Sequence, residues 1–262
     1  MFSNLKIVLV LSLFAFGNTV HAGQNEIDQI RIKYQLPGLA AAFIQDGITT
    51  EFVAGVRKFG DPTPIQTEDK FHLGSCTKAM TATLLAIFIE RGFLSWDSTL
   101  ESLLADVVPN MQEANRKTTL AMLTAHRSGI TGDLLHFQNG ELWGKISAPG
   151  LKPVDGRILV TNALLSAPPA SEPGSKYEYS NGNYVIVGAI LEKITGKSWE
   201  ELITNELFLP LGMEGCGFGA QANPGASPPD QPWPHRVNSN GPLPIFPDSN
   251  SDNPATLGPA GS

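Results

Sequence analysis

With 262 residues, 42% of them hydrophobic and 16% charged, the chain is long enough for one large domain or two small ones and is not disordered as a whole. A formal net charge of −7, with no run of basic residues, argues against nucleic acid as a partner. The five histidines (His21, His72, His126, His136, His235) and two cysteines (Cys76, Cys216) fall at no metal-ligand spacing, so neither a metal nor a cofactor is expected.

Met1 to Ala22 reads as a secretory signal. Lys6 supplies the positive start, Ile7 to Phe16 the apolar core and Val20-His21-Ala22 a small-residue cleavage site. The apolar run is too short to span a bilayer, and no cysteine follows the cleavage site to carry a lipid. The mature part, residues 23–262, is therefore expected to be periplasmic or secreted, without a membrane anchor, and monomeric. Export permits a disulfide, but none is expected; Cys76 is read as a small apolar group packed in the central helix.

Asn25 to Tyr34 carries Ile27 and Ile30 at helical spacing and stops before Pro37. Leu39–Gln45 and Ile48–Val56 read as strands joined by Asp46-Gly47, a two-residue hairpin turn. Asp61 to Asp69 is a loop leading to Phe71-His72-Leu73-Gly74-Ser75-Cys76-Thr77-Lys78 and a run of helix formers that ends at Gly92. Apolar or small residues occupy nearly every side of that run, which predicts a centrally buried helix.

Ser75 falls in the first turn of this helix and Lys78 three residues later on the same face. A serine hydroxyl needs a neighbouring base, and a partly desolvated lysine near a helix start has a lowered pKa and can serve as one. The backbone N–H of Ser75 is placed to meet a developing oxyanion. The tetrapeptide alone is weak, since Ser3-Asn4-Leu5-Lys6 matches it as well.

Beyond Ser95 the pattern is of short helices. Ser98-Thr99-Leu100-Glu101 fits a capping box opening a helix that ends before Pro109. Thr118 or Thr119 caps another through His126, with Gly129 as its stop. Thr131 to Pro153 reads as loop anchored by Trp143, and Val154 to Leu165 as helix. The region of about 80–170 is expected to be an all-helical subdomain.

Glu172 to Asn183 is a turn-rich loop, followed by a helix from Tyr184 to Lys193 that stops at Gly196. Ser198-Trp199-Glu200-Glu201 is a second capping box. After Gly219 the residues turn rich in proline, glycine, asparagine and serine, and Gln221 to Ser262 reads as loop or disordered tail. Within the turn-rich loop, Tyr179-Ser180-Asn181 supplies a phenol able to relay a proton beside a cationic lysine, and an amide able to contact a substrate carbonyl and that lysine.

Four stretches occur in order: Phe71 to Lys78, Leu123-Thr124-Ala125-His126-Arg127-Ser128-Gly129-Ile130, Pro173-Gly174 with Tyr177 to Asn181, and Pro210-Leu211-Gly212-Met213. Together they resemble the serine β-lactamase and penicillin-binding protein family, in its class C and esterase-like branch, from about Leu36 onward. The resemblance implies an α+β fold of the β-lactamase/transpeptidase type, an antiparallel sheet flanked by helices plus a helical subdomain. It implies Ser75 as acylated nucleophile, Lys78 as its activator, Tyr179 as proton relay and Asn181 as substrate contact. Lys78 and Tyr179 both remain open as the general base.

The implied chemistry is acyl transfer on β-lactams, with D-Ala-D-Ala peptides or small esters as alternatives, so the partner is a small-molecule or peptidoglycan-like acyl substrate. A third family element, Lys-Thr-Gly or His-x-Gly on a strand, is expected after Asn181. No lysine follows Lys197, and His235-Arg236-Val237 lacks the glycine. The C-terminal strands, a cation for a substrate carboxylate and a second oxyanion donor are therefore missing from these residues. One such donor is worth about 3–4 kcal/mol. The expectation is a chain cut short, poorly folded with its hairpin edges open, and weakly active. The rival expectation is a degenerate ligand-binding remnant without turnover.

Overall fold

The computed structural model describes residues 23–248 and 252–261; the signal segment read over Met1–Ala22 lies outside them. The chain divides into two compact units, residues 23–71 with 220–248 and residues 72–219 with 252–261. The helical subdomain expected over about 80–170 falls inside the second.

In the first unit, α1 (Gln24–Lys33) precedes a hairpin of β1 (Gly38–Gln45) and β2 (Ile48–Gly55). The turn forms because Asp46 and Gly47 both take positive φ, 52° and 77°, which matches the twist of the flanking strands and pairs Gln45 with Ile48. The stretch expected to be an unstructured tail instead carries a second antiparallel hairpin, β3 (His235–Asn238) and β4 (Gly241–Pro244). It is tied down by long-range bonds that composition does not reveal. Trp233 N–H donates to the Arg57 carbonyl at 2.8 Å, Lys70 N–H donates to Gln231 Oε1 at 2.7 Å, and the Arg57 guanidinium grips Asp69 with two bonds while reaching the Pro229 carbonyl.

The second unit contains α2 (Thr77–Glu90), α3 (Leu100–Leu104), α4 (Glu113–Arg116), α5 (Leu120–Thr124), α6 (Glu141–Ile146), α7 (Pro153–Ser166), α8 (Asn181–Thr195) and α9 (Trp199–Ile203). The helix buried on all sides is α8, not α2: every residue from Gly182 to Glu192 is buried, and Val185, Ile186, Val187 and Ile190 are fully covered. Helix α2 buries one face only, Thr77, Lys78, Thr81, Leu84, Leu85 and Phe88, because Ala79, Thr83 and Glu90 point to solvent.

Several boundaries differ from the sequence reading. A 3-10 turn, Gly74–Cys76, precedes α2, so Ser75 stands just outside the α-helix and Cys76 is exposed where packing was expected. Thr99, not Ser98, caps α3, accepting from Ser102 N–H, while Ser98 Oγ accepts from Ser95 N–H. That shift lets Leu100 N–H and Leu120 N–H bond across to the Thr118 and Ser98 carbonyls, pairing the starts of α3 and α5. Helix α5 stops at Thr124 because His126 turns left-handed, φ 54°. The loop expected over Thr131–Pro153 contains α6, which is anchored by Leu142 and Ile146 with Trp143 only partly buried. Helix α8 starts at Asn181, three residues before Tyr184. The capping box at Ser198 and Glu201 forms as read.

Ala255–Ala260 is a 3-10 strap laid over α7 and α8. A Cβ on Gly156 would meet Thr256 Oγ1 at 2.0 Å, and one on Gly188 would meet Pro259 Cγ at 2.5 Å, so glycine at these two positions is what admits the strap. Arg157, with no exposed surface, bonds Glu192, Glu200 and the Ala255 carbonyl at once. Removing one member of such a cluster strands buried charge. Arg157→Leu is expected to lower stability by about 3 kcal/mol, read from the urea midpoint followed by circular dichroism.

Candidate active site

Four chain segments meet around one hydroxyl. The turn at Gly74–Cys76 presents Ser75 to solvent; the first turn of α2 aims Lys78 inward; the loop before α8 brings Tyr179; and the N-terminus of α8 brings Asn181. Ser75 Oγ accepts from Tyr179 Oη at 2.7 Å and from Lys78 Nζ at 3.1 Å. Lys78 Nζ also donates to Asn181 Oδ1 at 2.8 Å and to the Ala260 carbonyl at 2.5 Å. The structure thus brings together all four residues singled out in the sequence. Asn181 contacts the lysine, one of the two contacts expected of it.

Lys78 is 5% exposed, and burial pulls its pKa down from 10.5 to about 8. Among the described residues no carboxylate bonds it; the three acceptors are a hydroxyl, an amide oxygen and a backbone carbonyl. The Tyr179 and Tyr184 rings lie 4.8 and 5.6 Å from Nζ and present π faces to the cation.

The strap places the Ala260 carbonyl, and it is held on consecutive carbonyls. Thr81 Oγ1 donates to Pro259 O at 2.8 Å, Lys78 to Ala260 O, and Asn253 Nδ2 to Gly261 O at 3.1 Å. His72, two residues before Gly74, receives the Gly74 N–H on Nδ1 at 3.0 Å and bonds Asp252 through Nε2 at 2.5 Å, which fixes the turn that carries Ser75.

Two contributors carry no signal in the sequence reading. Ala260 acts through its backbone, so its side chain could not announce it. His126 falls in the Leu123 to Ile130 stretch, where nothing in its neighbours' identities points to a role. In the structure it is buried behind Tyr179, with ring centroids 4.4 Å apart. Among the described residues no group of three or more His, Cys, Asp or Glu side chains converges as metal ligands, and no helix is long and apolar enough to cross a membrane.

A helical unit with a serine on the turn before a buried-lysine helix is the architecture of a class of serine hydrolases. The chain belongs to the Beta-lactamase family, whose pattern it matches over residues 24–261. It is 30% identical over 195 residues to Penicillin-binding protein 4 of Amycolatopsis lactamdurans, covering 72% of this chain and 47% of that protein. It is 25% identical to the Unguisins hydrolase ungD of Aspergillus violaceofuscus, covering 72% of this chain and 33% of the relative. The chain thus spans about half or less of these relatives' length.

Among solved structures, a D-stereospecific amidohydrolase from Streptomyces sp. superposes with a TM-score of 0.65 at 25% identity, over 92% of this chain and 68% of the other. The D-amino acid amidase of Ochrobactrum anthropi SV3 gives 0.66 at 20% identity, over 91% and 64%. These likenesses bear out the β-lactamase/transpeptidase-like fold.

The lysine has a thermodynamic signature. Its folded pKa of about 8 lies below the unfolded value of 10.5, so the unfolded chain holds more protons between those pH values, and stability rises with pH across that window. The stability of Lys78→Met relative to the parent is therefore expected to fall as pH climbs from 8 to 10.5, measured by urea unfolding at each pH.

Proposed function

We propose that the protein is an exported serine hydrolase that opens β-lactams through an acyl-enzyme on Ser75. One observation carries the proposal. Of the three partners of Lys78 Nζ, two are carbonyl oxygens, which can only accept, and the third is the Ser75 hydroxyl, which can also donate. When Lys78 loses a proton, its two remaining N–H bonds go to Asn181 and Ala260, and the lone pair faces the serine proton.

The step then follows. Ser75 gives its proton to Lys78 Nζ while Oγ attacks the carbonyl carbon, and the oxyanion forms near the Ser75 backbone N–H. Tyr179, which donates to Oγ in the resting arrangement, protonates the leaving nitrogen and regains a proton from Lys78 as the acyl-enzyme forms. Water then hydrolyses the ester. This assigns the base to Lys78 and the relay to Tyr179. Asn181 supports the lysine and takes the substrate amide once the pocket fills.

The name of the relative at 30% identity, Penicillin-binding protein 4, supports a β-lactam as acylating agent. A second reading has its own support: the Streptomyces match is a D-stereospecific amidohydrolase, so an amide flanked by a D-residue is the alternative acyl donor. Export through the Met1–Ala22 signal, a monomeric state and a small-molecule or peptidoglycan-like substrate, with no nucleic acid and no membrane anchor, belong to the same proposal.

A fluorescent penicillin is expected to label the parent and not Ser75→Ala. Labelling of Lys78→Ala and Tyr179→Phe should be slower by about two decades or more. The parent rate should rise with pH to a plateau above about 8, the pKa of Lys78. Labelling that survives in Ser75→Ala, or that is equally fast in both other variants, excludes the mechanism. Turnover of D-amino acid amides with no penicillin adduct favours the second reading.

A further inference from the structure

We infer that His126 is the positioning residue that holds the Tyr179 hydroxyl on Ser75, and that it does so only as the neutral tautomer protonated on Nε2. The inference rests on the acyl-enzyme reading for its kinetic consequence and on geometry for its structural one.

His126 grips three successive residues of the loop before α8. Its carbonyl accepts Glu178 N–H at 2.7 Å, its Nδ1 accepts Ser180 N–H at 3.1 Å, and its ring lies against the Tyr179 ring between them, centroids 4.4 Å apart and planes 32° apart. The left-handed backbone at His126 turns carbonyl and ring toward the same loop. On its other sides the ring meets Tyr184 at 5.3 Å and the edge of Tyr177 at 5.8 Å. Tyr184 is itself fixed, since its hydroxyl donates to the Thr124 carbonyl at 2.9 Å.

The tautomer follows from donor and acceptor counting. A backbone N–H can only donate, so Nδ1 must offer a lone pair, and the proton of the neutral ring sits on Nε2. Protonation puts a hydrogen on Nδ1 facing the Ser180 N–H, and the bond is lost. The groups facing the ring are Lys78 from α2, Tyr177 and Tyr179 from the loop and Tyr184 from α8. Burial first, and then the Lys78 charge, hold the His126 pKa below 6.5, so the ring stays neutral until the solution is acid.

Two protons then govern acylation at low pH. Between the His126 pKa and about 8 the rate should climb tenfold per pH unit, as Lys78 alone deprotonates. Below the His126 pKa it should climb a hundredfold per unit, because both groups must be neutral. A residue that merely filled space would leave the profile with one slope.

The test is the pH profile of Ser75 acylation by a fluorescent penicillin in the parent, His126→Asn and His126→Phe. Asn puts an amide oxygen close to where Nδ1 stood, tolerates the left-handed backbone and does not titrate. Phe keeps the ring and loses the acceptor. His126→Asn is expected to retain labelling and show the single shallow slope down to acid pH. His126→Phe should label about tenfold slower or worse than the parent wherever the parent's ring is neutral, with a single shallow slope of its own, so the gap closes at acid pH. In parallel, the imidazole nitrogen spectrum of the parent should show Nδ1 unprotonated at neutral pH, and the Ser180 amide should exchange faster in His126→Phe.

A parent profile with one slope, or a steep acid limb that persists in His126→Asn, overturns the inference while leaving Ser75 acylation intact. If the parent is not labelled at all, it is the β-lactam reading that fails. The nitrogen spectrum then decides for His126: Nδ1 unprotonated with a protected Ser180 amide sustains its hold on the loop, and a protonated Nδ1 overturns it.

Discussion

A single buried ammonium sets the terms for the second unit. Lys78 has been taken out of water with no carboxylate bonded to it among the described residues, and the surroundings answer with three neutral oxygens. Charge without a counter-ion is costly in such a place, so the group is poised to give up a proton. Each of the three oxygens comes from a different part of the chain, and the geometry holds only while all three segments hold. The demands of one nitrogen therefore reach through the turn at Ser75, the start of α8 and the strap.

The strap shows how far that reach extends. Its carbonyls are taken by Thr81, Lys78 and Asn253, its first residue is bound by Arg157, and its close approach needs Gly156 and Gly188. Arg157 lies in α7 with Glu192 of α8 and Glu200 of α9 around it. An ion cluster with no direct contact to the nucleophile thus anchors the start of the strap whose Ala260 carbonyl meets the lysine. Arg157 is a structural residue with a functional address.

Much of this was legible in the residues. Asp46-Gly47 fixes its hairpin because both positions take the left-handed backbone that the turn demands, and the Ser198 box and the Gly92 and Gly196 stops act locally. The Ser75 to Lys78 spacing and the Tyr179 to Asn181 pair were readable because residues two or three apart across the start of a helix stay close whichever side of the boundary each one falls on. What was not legible depends on contacts between distant segments. Which apolar helix lies innermost is decided by its neighbours, so α8 took the place expected of α2. Proline-rich composition hides the hairpin at His235–Pro244 and the strap, because their order comes from partners at Arg57, Lys70, Thr81 and Arg157. A backbone acceptor such as Ala260 leaves no mark at all.

The separation of 182 residues between Lys78 and its Ala260 acceptor has a consequence for biosynthesis. During translation the nucleophile and its lysine leave the ribosome long before the oxygen that aims the amine exists. Contacts of high sequence separation carry a loop-closure cost that local ones do not. A growing chain that has not reached Ala260 therefore carries Ser75 and Lys78 without the oxygen that completes the lysine's three acceptors.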